Sequence, residues 1–212
     1  MKLENFVNQI QKNRRLRDRN RYRRSKKAGV LIPFVFDGKQ EPYMLLTKRT
    51  EELSTHRGEV AFPGGMMDPT DRSIIETALR EAEEEIGLDR HRVKVIGQVD
   101  DLISTNTELM VTPSIGVITD PPSSWKINSH EVAKVFEVPF SALFDSDRWR
   151  VSFKEWRGKP FKLYFFDYDG ETLWGLSAYA TLLALDLTEA GPPLSLDMYY
   201  KQIKEAKFLA DG

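Results

Sequence analysis

A short segment of the chain combines a glycine pair with closely spaced glutamates, and this combination could bind a metal ion. Gly64 and Gly65 lead into a predicted helix that carries Glu81, Glu84 and Glu85. At about 100° per residue, the three carboxylates fall in one band about 100° wide on the helix surface. Clustered carboxylates repel one another unless a cation neutralises them, and oxygen ligands without Cys or His favour Mg²⁺ or Mn²⁺. The segment therefore predicts a divalent-metal site.

The same helix has a separate apolar side, which is expected to face the core. This side consists of Ile75, Leu79, Ala82 and Ile86, which lie within about 40° of one another. The alternative is that the run 83–85 is only a solvated helix face. Two features favour the metal site. Arg80, beside the acidic band, could hold one carboxylate or a loop in place, and the glycine pair lets backbone carbonyls approach a metal closely.

The segment resembles the Nudix box, GX5EX7REUXEEXGU, in which U is an aliphatic residue. The matching residues are Gly65, Arg80, Glu81, Ala82, Glu84, Glu85, Gly87 and Leu88. Asp71 stands where the box has its first Glu, and eight residues rather than seven separate it from Arg80, so the role of Asp71 as the partner of Arg80 stays open. The resemblance implies that the metal ligands are Glu81, Glu84 and Glu85, with the Gly65 carbonyl as a further ligand.

The residues ahead of the box are similar to the signature LLTXRSX3RX3GX3FPGG, which precedes the box in Nudix enzymes that cleave coenzyme A. The similarity covers residues 45–50 and 58–65, but Thr50 replaces Ser and Ser54 replaces Arg. It implies hydrolysis of coenzyme A or an acyl-CoA to 3′,5′-ADP and 4′-phosphopantetheine. Ser54 keeps open the alternative of a Nudix pyrophosphatase for ADP-ribose, NADH or another nucleotide. A remoter alternative is a non-catalytic module with the Nudix fold that binds nucleic acid or has a regulatory role.

Charge determines the roles expected of individual residues. A metal would neutralise the diphosphate oxygens and place water in line with one phosphorus, and a nearby carboxylate would take the proton from that water. Glu84 is the first candidate for this base, Glu131 is the alternative, and Arg80 completes the predicted catalytic set. The cations available for the substrate phosphates, each of which can also be ordinary surface charge, are Lys48, Arg49, His56 and Arg57.

Composition is typical of a compact globular enzyme. The chain has 212 residues, 41% of them hydrophobic and 30% charged, and it contains no cysteine, which excludes disulfides and thiol chemistry. There is no apolar run of 18 residues and no signal-peptide core at the N-terminus, so a cytoplasmic location without membrane contact is expected. A homodimer stays open, because the sequence does not determine the assembly state.

Charge is divided unevenly along the chain. Residues 1–27 contain eleven Lys and Arg against two acidic residues, a net charge of +9, and the remainder carries −10. This basic extension could attract nucleic acid or anionic lipid, or draw in a polyanionic substrate. The favoured interpretation is a solvated helix whose basic end meets the acidic body. Its packing residues are Leu3, Phe6, Val7 and Ile10.

The pattern predicts an α/β protein, and the Nudix resemblance implies an α/β/α sandwich with a mixed sheet. Three parts are expected: a basic helical extension at 1–27, a Nudix domain at 28–190 and a C-terminal helical segment at 191–212. Helices are predicted at 72–86, ended by Gly87, and at 177–187, with Ser177 as N-cap. Strands are predicted at 28–36, 43–48, 60–62, 93–99, 109–118, 131–137, 149–156 and 162–168.

Overall fold

The computed structural model describes residues 1–13, 26–38, 40–53, 55–104, 109–156 and 159–196. The strands are β1 Lys27–Val35, β2 Tyr43–Arg49, β3 Val60–Ala61, β4 Gly64–Met66, β5 Val93–Gln98, β6 Leu102–Ile103, β7 Met110–Ile118, β8 Val132–Pro139, β9 Trp149–Trp156, β10 Lys159–Tyr168 and β11 Glu171–Trp174. The α-helices are α1 Leu3–Lys12, α2 Ile74–Ile86, α3 Phe140–Phe144 and α4 Gly175–Asp186. Residues 14–25 of the predicted basic extension and residues 197–212 of the predicted C-terminal segment lie outside the described residues, so their predicted roles stay predictions.

The described strands form one mixed sheet. Its main order is β5-β7-β1-β2-β3-β11-β10-β9, with β4 on β1, β6 on β7 and β8 on β2. β2 pairs with β1 at its start and with β3 at its end, while β4 pairs with the start of β1. The strands β1 and β2 therefore diverge, and the turn through Phe62 and Pro63 joins β3 to β4 inside the opening.

Helices cover both faces of the sheet. On one face α2 packs through Ala78, Ala82 and Ile86. On the other face α1 and α4 pack on the larger core, in which the Phe6 ring contacts Phe34 and other aromatic rings. This arrangement confirms the predicted α/β/α sandwich. No helix among the described residues is long and apolar enough to cross a membrane.

The N-terminal helix packs as the favoured interpretation predicted. The side chains of Phe6 and Ile10 are fully buried in the larger core, and Leu3 and Val7 pack partly buried against it. Asn13, at the end of α1, donates a side-chain hydrogen bond of 2.8 Å to the carbonyl of Leu187. The extension is therefore anchored at its first ten residues, whatever the basic residues after Asn13 do.

Helix α2 begins two residues later than predicted and ends where predicted. The hydroxyl of Ser73 accepts a hydrogen bond from the Glu76 amide, which makes Ser73 the N-cap. Gly87 ends the helix in the left-handed conformation, with φ of 65°. The predicted apolar stripe is displaced, because Ile75 and Leu79 are only half-buried. The fully buried face contains Thr77, Ala78, Ala82, Glu85 and Ile86.

The prediction of Ser177 as the N-cap of α4 is wrong. The helix begins at Gly175, Trp174 occupies the cap position without a side-chain cap bond, and the Ser177 carbonyl accepts a hydrogen bond from Thr181. The reason is the short strand β11, which the sequence analysis did not predict. It ends at Trp174, and Gly175, with φ of 64°, turns the chain directly into the helix.

Candidate active site

Two glycines allow α2 to lie very close to the sheet. A Cβ at Gly29 of β1 would lie 2.4 Å from the Ile74 carbonyl oxygen, so only glycine permits this strand–helix distance. A Cβ at Gly65 of β4 would lie 2.5 Å from the Glu81 carboxyl carbon. The carboxylate of Glu81 is thus held directly against the glycine backbone that the sequence analysis selected, and Gly29 is a positioning residue that it missed.

Arg80 organises the exposed side of the site. Its Nε lies 3.0 Å from Asp71 Oδ1 and its Nη2 lies 3.1 Å from Asp71 Oδ2, a bidentate pair. Its Nη1 lies 2.9 Å from both Glu81 Oε1 and Glu84 Oε2, and its Nη2 donates to the Met66 carbonyl at 3.1 Å. Arg80 therefore ties the loop before the helix to two of the three box glutamates.

This geometry resolves the open role of Asp71, which is the partner of Arg80 despite the extra residue between them. The loop absorbs that residue by folding back: Asp71 Oδ2 accepts from the Asp68 amide and from the Thr77 hydroxyl, both at 2.9 Å. The hydrogen bond from the Arg80 guanidinium is the main reason that the pKa of Asp71 is lowered to about 2, although burial opposes it. The pKa of Arg80 is raised in turn, chiefly by its hydrogen bond to Asp71.

Glu85 is the most deeply buried carboxylate of the site, with only 4% of its side chain exposed. Burial is the largest cause that raises its pKa to about 8, and the negative charges of Glu81 and Glu131 add to it. Arg49, whose Nη1 lies 3.8 Å from Glu85 Oε1, and the Gly64 amide oppose this shift without cancelling it. Burial likewise raises the pKa of Glu81, against the lowering effect of Arg80.

Glu131 reaches this cluster through long-range pairing rather than sequence proximity. The Thr50 amide donates to the Glu131 carbonyl and the Thr50 hydroxyl donates to the His130 carbonyl, each at 3.0 Å. Asn128 donates its backbone amide to the Glu85 carbonyl at 2.9 Å and its side-chain amide to Glu131 Oε1 at 3.3 Å. Asn128 thus connects the end of α2 to the candidate base. No short-range signal in the sequence identifies this role.

The structure brings together only part of the predicted set. The residues that meet at the site are Gly65, Arg80, Glu81, Glu84, Glu85, Glu131 and Arg49. The predicted phosphate-binding Lys48 instead forms a 3.0 Å ion pair with Glu171. On β2 the neighbouring Leu46 belongs to the larger core, so the alternation of the strand directs Lys48 to the face opposite α2.

The loop cations also lie apart from the carboxylates. His56 is exposed, and its Nδ1 lies 2.9 Å from Glu59 Oε2, while Arg57 donates from Nε to the Leu53 carbonyl. Within the described ranges, no hydrogen bond or ion pair joins His56 or Arg57 to the box glutamates. Ser54, the departure from the signature, lies outside the described residues. A substrate role for these loop residues stays a prediction.

The carboxylates fit a divalent cation by charge and donor chemistry rather than as a preformed cage. Over the part of the chain that the structure describes, no three acidic or histidine side chains converge tightly enough to form such a cage. Arg80 lies between Glu81 and Glu84. The pKa values of Glu85 and Glu81 are nevertheless raised, chiefly by burial, and the neighbouring arginines do not cancel this effect. An oxygen-only cluster that lacks positive charge suits a hard dication.

Comparisons with known proteins identify the family. The protein-family model described as "NUDIX domain" matches residues 25–159 of the chain. A protein of Photorhabdus laumondii named "Uncharacterized Nudix hydrolase NudL" is 42% identical over 181 residues, which is 83% of this chain and 92% of that protein. The protein of the same name from Yersinia enterocolitica is 41% identical over 151 residues, 71% of this chain and 75% of that protein.

The solved structures that align with the chain are more distant. An Ap4A hydrolase of C. elegans aligns with a TM-score of 0.45 at 16% identity, covering 55% of this chain and 81% of that one. The match of the family model and the identity to the two relatives decide the assignment. The chain belongs to the Nudix hydrolases, enzymes that cleave pyrophosphate bonds and that generally use divalent metal ions.

Proposed function

We propose that the protein hydrolyses the diphosphate of coenzyme A or an acyl-CoA to 3′,5′-ADP and 4′-phosphopantetheine, in the cytoplasm, with Mg²⁺ or Mn²⁺. Two lines of support differ in kind. The similarity of residues 45–65 to the signature of coenzyme A-cleaving Nudix enzymes supports the substrate. The buried carboxylates beside Gly65, whose negative charge is not fully compensated by nearby cations, support a metal-dependent attack on a diphosphate. This cluster is the observation that carries the proposal.

The ligands of the cation would be Glu81, Glu84 and Glu85, with the Gly65 carbonyl beside them. A divalent ion bound there would neutralise the diphosphate oxygens and acidify the attacking water. Arg80 holds Glu81 and Glu84 in place through its Nη1. The bidentate pair with Asp71 fixes the position of the Arg80 guanidinium beside these two carboxylates.

Arg49 is the residue best placed to bind a substrate phosphate. Its Nη1 faces Glu85, and its Nε is buried without a hydrogen-bond partner among the described residues. A buried guanidinium N–H without a partner is costly, so an oxygen acceptor supplied by the substrate would restore the missing bond. A phosphate oxygen provides such an acceptor next to the carboxylates.

Two carboxylates compete for the role of general base. Glu84 has 56% of its side chain exposed and already binds Arg80. Glu131 is half-buried and raises the pKa of both Glu81 and Glu85 by its charge. Among the described residues, its carboxylate accepts a hydrogen bond only from the Asn128 side chain. These contacts favour Glu131 over the first candidate of the sequence analysis, since its oxygens are freer to accept a proton.

A substrate panel tests the proposal. Coenzyme A, acetyl-CoA, ADP-ribose, NADH and nucleoside triphosphates are compared by kcat/KM with Mg²⁺ and with Mn²⁺, and the products are identified by mass. We expect the highest kcat/KM for coenzyme A or its thioester, and complete loss on chelation that either ion reverses. A higher kcat/KM for ADP-ribose would overturn the substrate assignment and leave the pyrophosphatase chemistry intact.

The base is tested in the same assay. Glu131→Gln and Glu84→Gln are compared over a range of pH. If Glu131 is the base, its substitution lowers kcat by about 10²-fold or more and removes the acidic limb of the pH–rate profile. Glu84→Gln then lowers the affinity for the metal more than it lowers kcat at saturating metal. The reverse pattern would restore Glu84 as the base.

A further inference from the structure

A row of aromatic and aliphatic side chains extends from the active site across the outer strands of the sheet. On β10 the side chains of Tyr164 and Phe166 point into the larger core, so the alternating residues between and before them face the other way. On β11, Leu173 likewise lies in the larger core, and its neighbour Trp174 faces the other way. We call the resulting surface the aromatic shelf, which consists of Phe161, Leu163, Phe165 and Trp174.

The shelf lies on the same face of the sheet as helix α2. Leu45 of β2 packs with α2, so Thr47 and Arg49 share its side of the strand, and Arg49 reaches Glu85. Thr47 pairs with Ala61 of β3, and the parallel pairing of Val60 with Leu173 brings Trp174 next to Ala61. Thr47, Ala61 and Trp174 therefore form a row across three neighbouring strands, from the site toward the shelf.

The row of side chains from Thr47 to the shelf is short. Trp174 lies two strands from Thr47, a distance of about 10 Å at the usual spacing of strands. The only side chain between them in this row is the methyl group of Ala61. The outer end is bounded by Arg150, whose guanidinium lies 5.0 Å from the centre of the Phe165 ring and is bound to Asp167.

The shelf presents flat ring faces that no described helix covers. The rings of Phe165 and Trp174 are almost parallel, 13° apart in plane and 6.4 Å between centres. Trp174 is 37% exposed, although its strand β11 is paired on both sides. The helix that contacts β10 and β11 is α4, and its Tyr179 meets Tyr164 on the opposite face.

We propose that the aromatic shelf is the floor on which the purine base of the substrate stacks, with Trp174 as the principal contact. This inference rests on the proposed pyrophosphatase function, because it names the subsite for the part of the substrate that does not react. Every nucleobase has a π-face, so a partly exposed tryptophan ring supported by a parallel phenylalanine ring is a suitable stacking partner. The partly exposed rings lie in the row that leads from Arg49, the cation with an unsatisfied N–H, and this continuity favours a nucleotide over a protein partner.

Equilibrium binding tests the shelf without depending on catalysis. The affinities of AMP and ribose 5-phosphate are measured by calorimetry with the full chain in the presence of Mg²⁺. The two probes carry the same phosphate, and only AMP carries the base. Trp174→Ala should weaken AMP about tenfold and leave ribose 5-phosphate unchanged, and Trp174→Phe should retain most of the AMP affinity.

Phe153→Ala is the matched control. Phe153 lies on the adjacent strand β9 and is 64% exposed, but the alternation of β9 places it on the face of the buried Trp149, away from the shelf. We expect it to bind AMP as the wild type does. An unchanged AMP affinity in Trp174→Ala would overturn the proposal, as would an equal loss for both probes or an equal loss in Phe153→Ala.

The test also separates the shelf from its alternatives. If Trp174→Ala changes the sedimentation of the protein while AMP affinity stays constant, the shelf is a contact between copies of the chain and the proposal fails. If the wild type binds AMP on the shelf but hydrolyses no diphosphate in the panel, the proposed function fails instead. For an active enzyme, Trp174→Ala should raise KM about tenfold and change kcat less than twofold.

Discussion

The two faces of the central sheet use burial in opposite ways. Under α1 and α4 the buried surface is built around aromatic rings, with Phe6, Phe34 and Phe140 in mutual contact. On the α2 face the buried set includes Asp71 and Glu85, the two fully buried acidic residues among the described ones. Both faces supply hydrophobic stabilisation, but the second also holds carboxylates where burial disfavours their charge. The candidate chemistry is thus placed on one side of the sheet, and the aromatic core on the other.

The strongest test of this division removes the buried charge itself. Glu85→Gln should lower kcat by about 10²-fold or more, because the neutral amide is a poor ligand for a hard cation. The metal-free variant should unfold at a higher temperature than the wild type at pH 8.5, since a buried carboxylate is no longer ionised there. Steady-state kinetics and thermal unfolding measure the two effects.

Glu83→Gln is the control for that experiment, because it makes the same change in the same helix. Glu83 lies outside the acidic cluster and binds Arg90 at 2.6 Å. We expect kcat within twofold of the wild type. Hydrolysis that persists in Glu85→Gln would contradict the assignment of Glu85 as a metal ligand. The α2 face would then no longer be distinguished from the other face by a metal site.

The next largest effect is expected on the aromatic face. Phe34 is fully buried, and its ring lies 5.0 Å from Phe6 and 5.1 Å from Phe140. Phe34→Ala should lower the free energy of unfolding by about 3–5 kcal/mol, through lost burial and the cavity left behind. The kcat of the folded variant at low temperature should be unchanged. A large fall in kcat without loss of stability would show that the two faces are not separable.

A third prediction concerns pH and the pair of Asp71 and Arg80. The pKa of Asp71 is lowered from 3.8 to about 2, so the folded state binds its proton less readily than the unfolded chain does. The resulting stabilisation is present above pH 4 and is lost as the pH falls toward 2. Asp71→Asn should therefore cost up to about 2 kcal/mol at pH 7 in urea unfolding, and the difference from wild type should shrink below pH 4.

Asp68→Asn is the local control for this pH dependence. Asp68 lies in the same loop, is exposed, and binds Thr70 rather than Arg80. Its substitution should change stability less than that of Asp71 at every pH. A constant difference between Asp71→Asn and wild type down to pH 2 would mean that the guanidinium does not hold this carboxylate ionised.

The smallest effect on stability and kcat is expected at the hydrogen bond between Thr50, which follows β2, and His130, which precedes Glu131. The Thr50 hydroxyl, which is buried, donates to the His130 carbonyl next to Glu131. Thr50→Val should destabilise the protein by about 1 kcal/mol and lower kcat a few-fold, since it loosens the position of Glu131. Thr50→Ser keeps the hydroxyl and should resemble the wild type in both measurements. Equal behaviour of the two variants would show that the bond does not position the base.

Local signals made much of the fold predictable. Helical periodicity and the glycine stop located α2 to within two residues, and strand patterns located β2, β7 and β9 almost to the residue. The short strand β11 and the short helix α3 were missed, because elements of four or five residues carry little periodicity. The error at Ser177 follows from the first of these omissions.

The site was predictable in composition but not in arrangement. A helical wheel centred on Ile75 placed Glu85 in a carboxylate band separate from the buried apolar stripe, whereas the close approach of β1 and β4 shifts the buried face toward Glu85. The pairing of Asp71 with Arg80 depends on how a loop folds back, and spacing alone does not encode that. Lys48 lies on the face of the sheet opposite Arg49, because successive residues of a strand point to opposite faces, and its predicted contact with substrate stays a prediction.

Gly29 has a consequence for anyone who redesigns this enzyme. With no room for even a methyl group between this strand and the Ile74 carbonyl, any larger residue must lift the first turns of α2. Such a lift would separate the helix from the glycine turn and alter every distance between its carboxylates and the backbone. New specificity is better sought on the outer strands, where side chains can be exchanged without moving the helix.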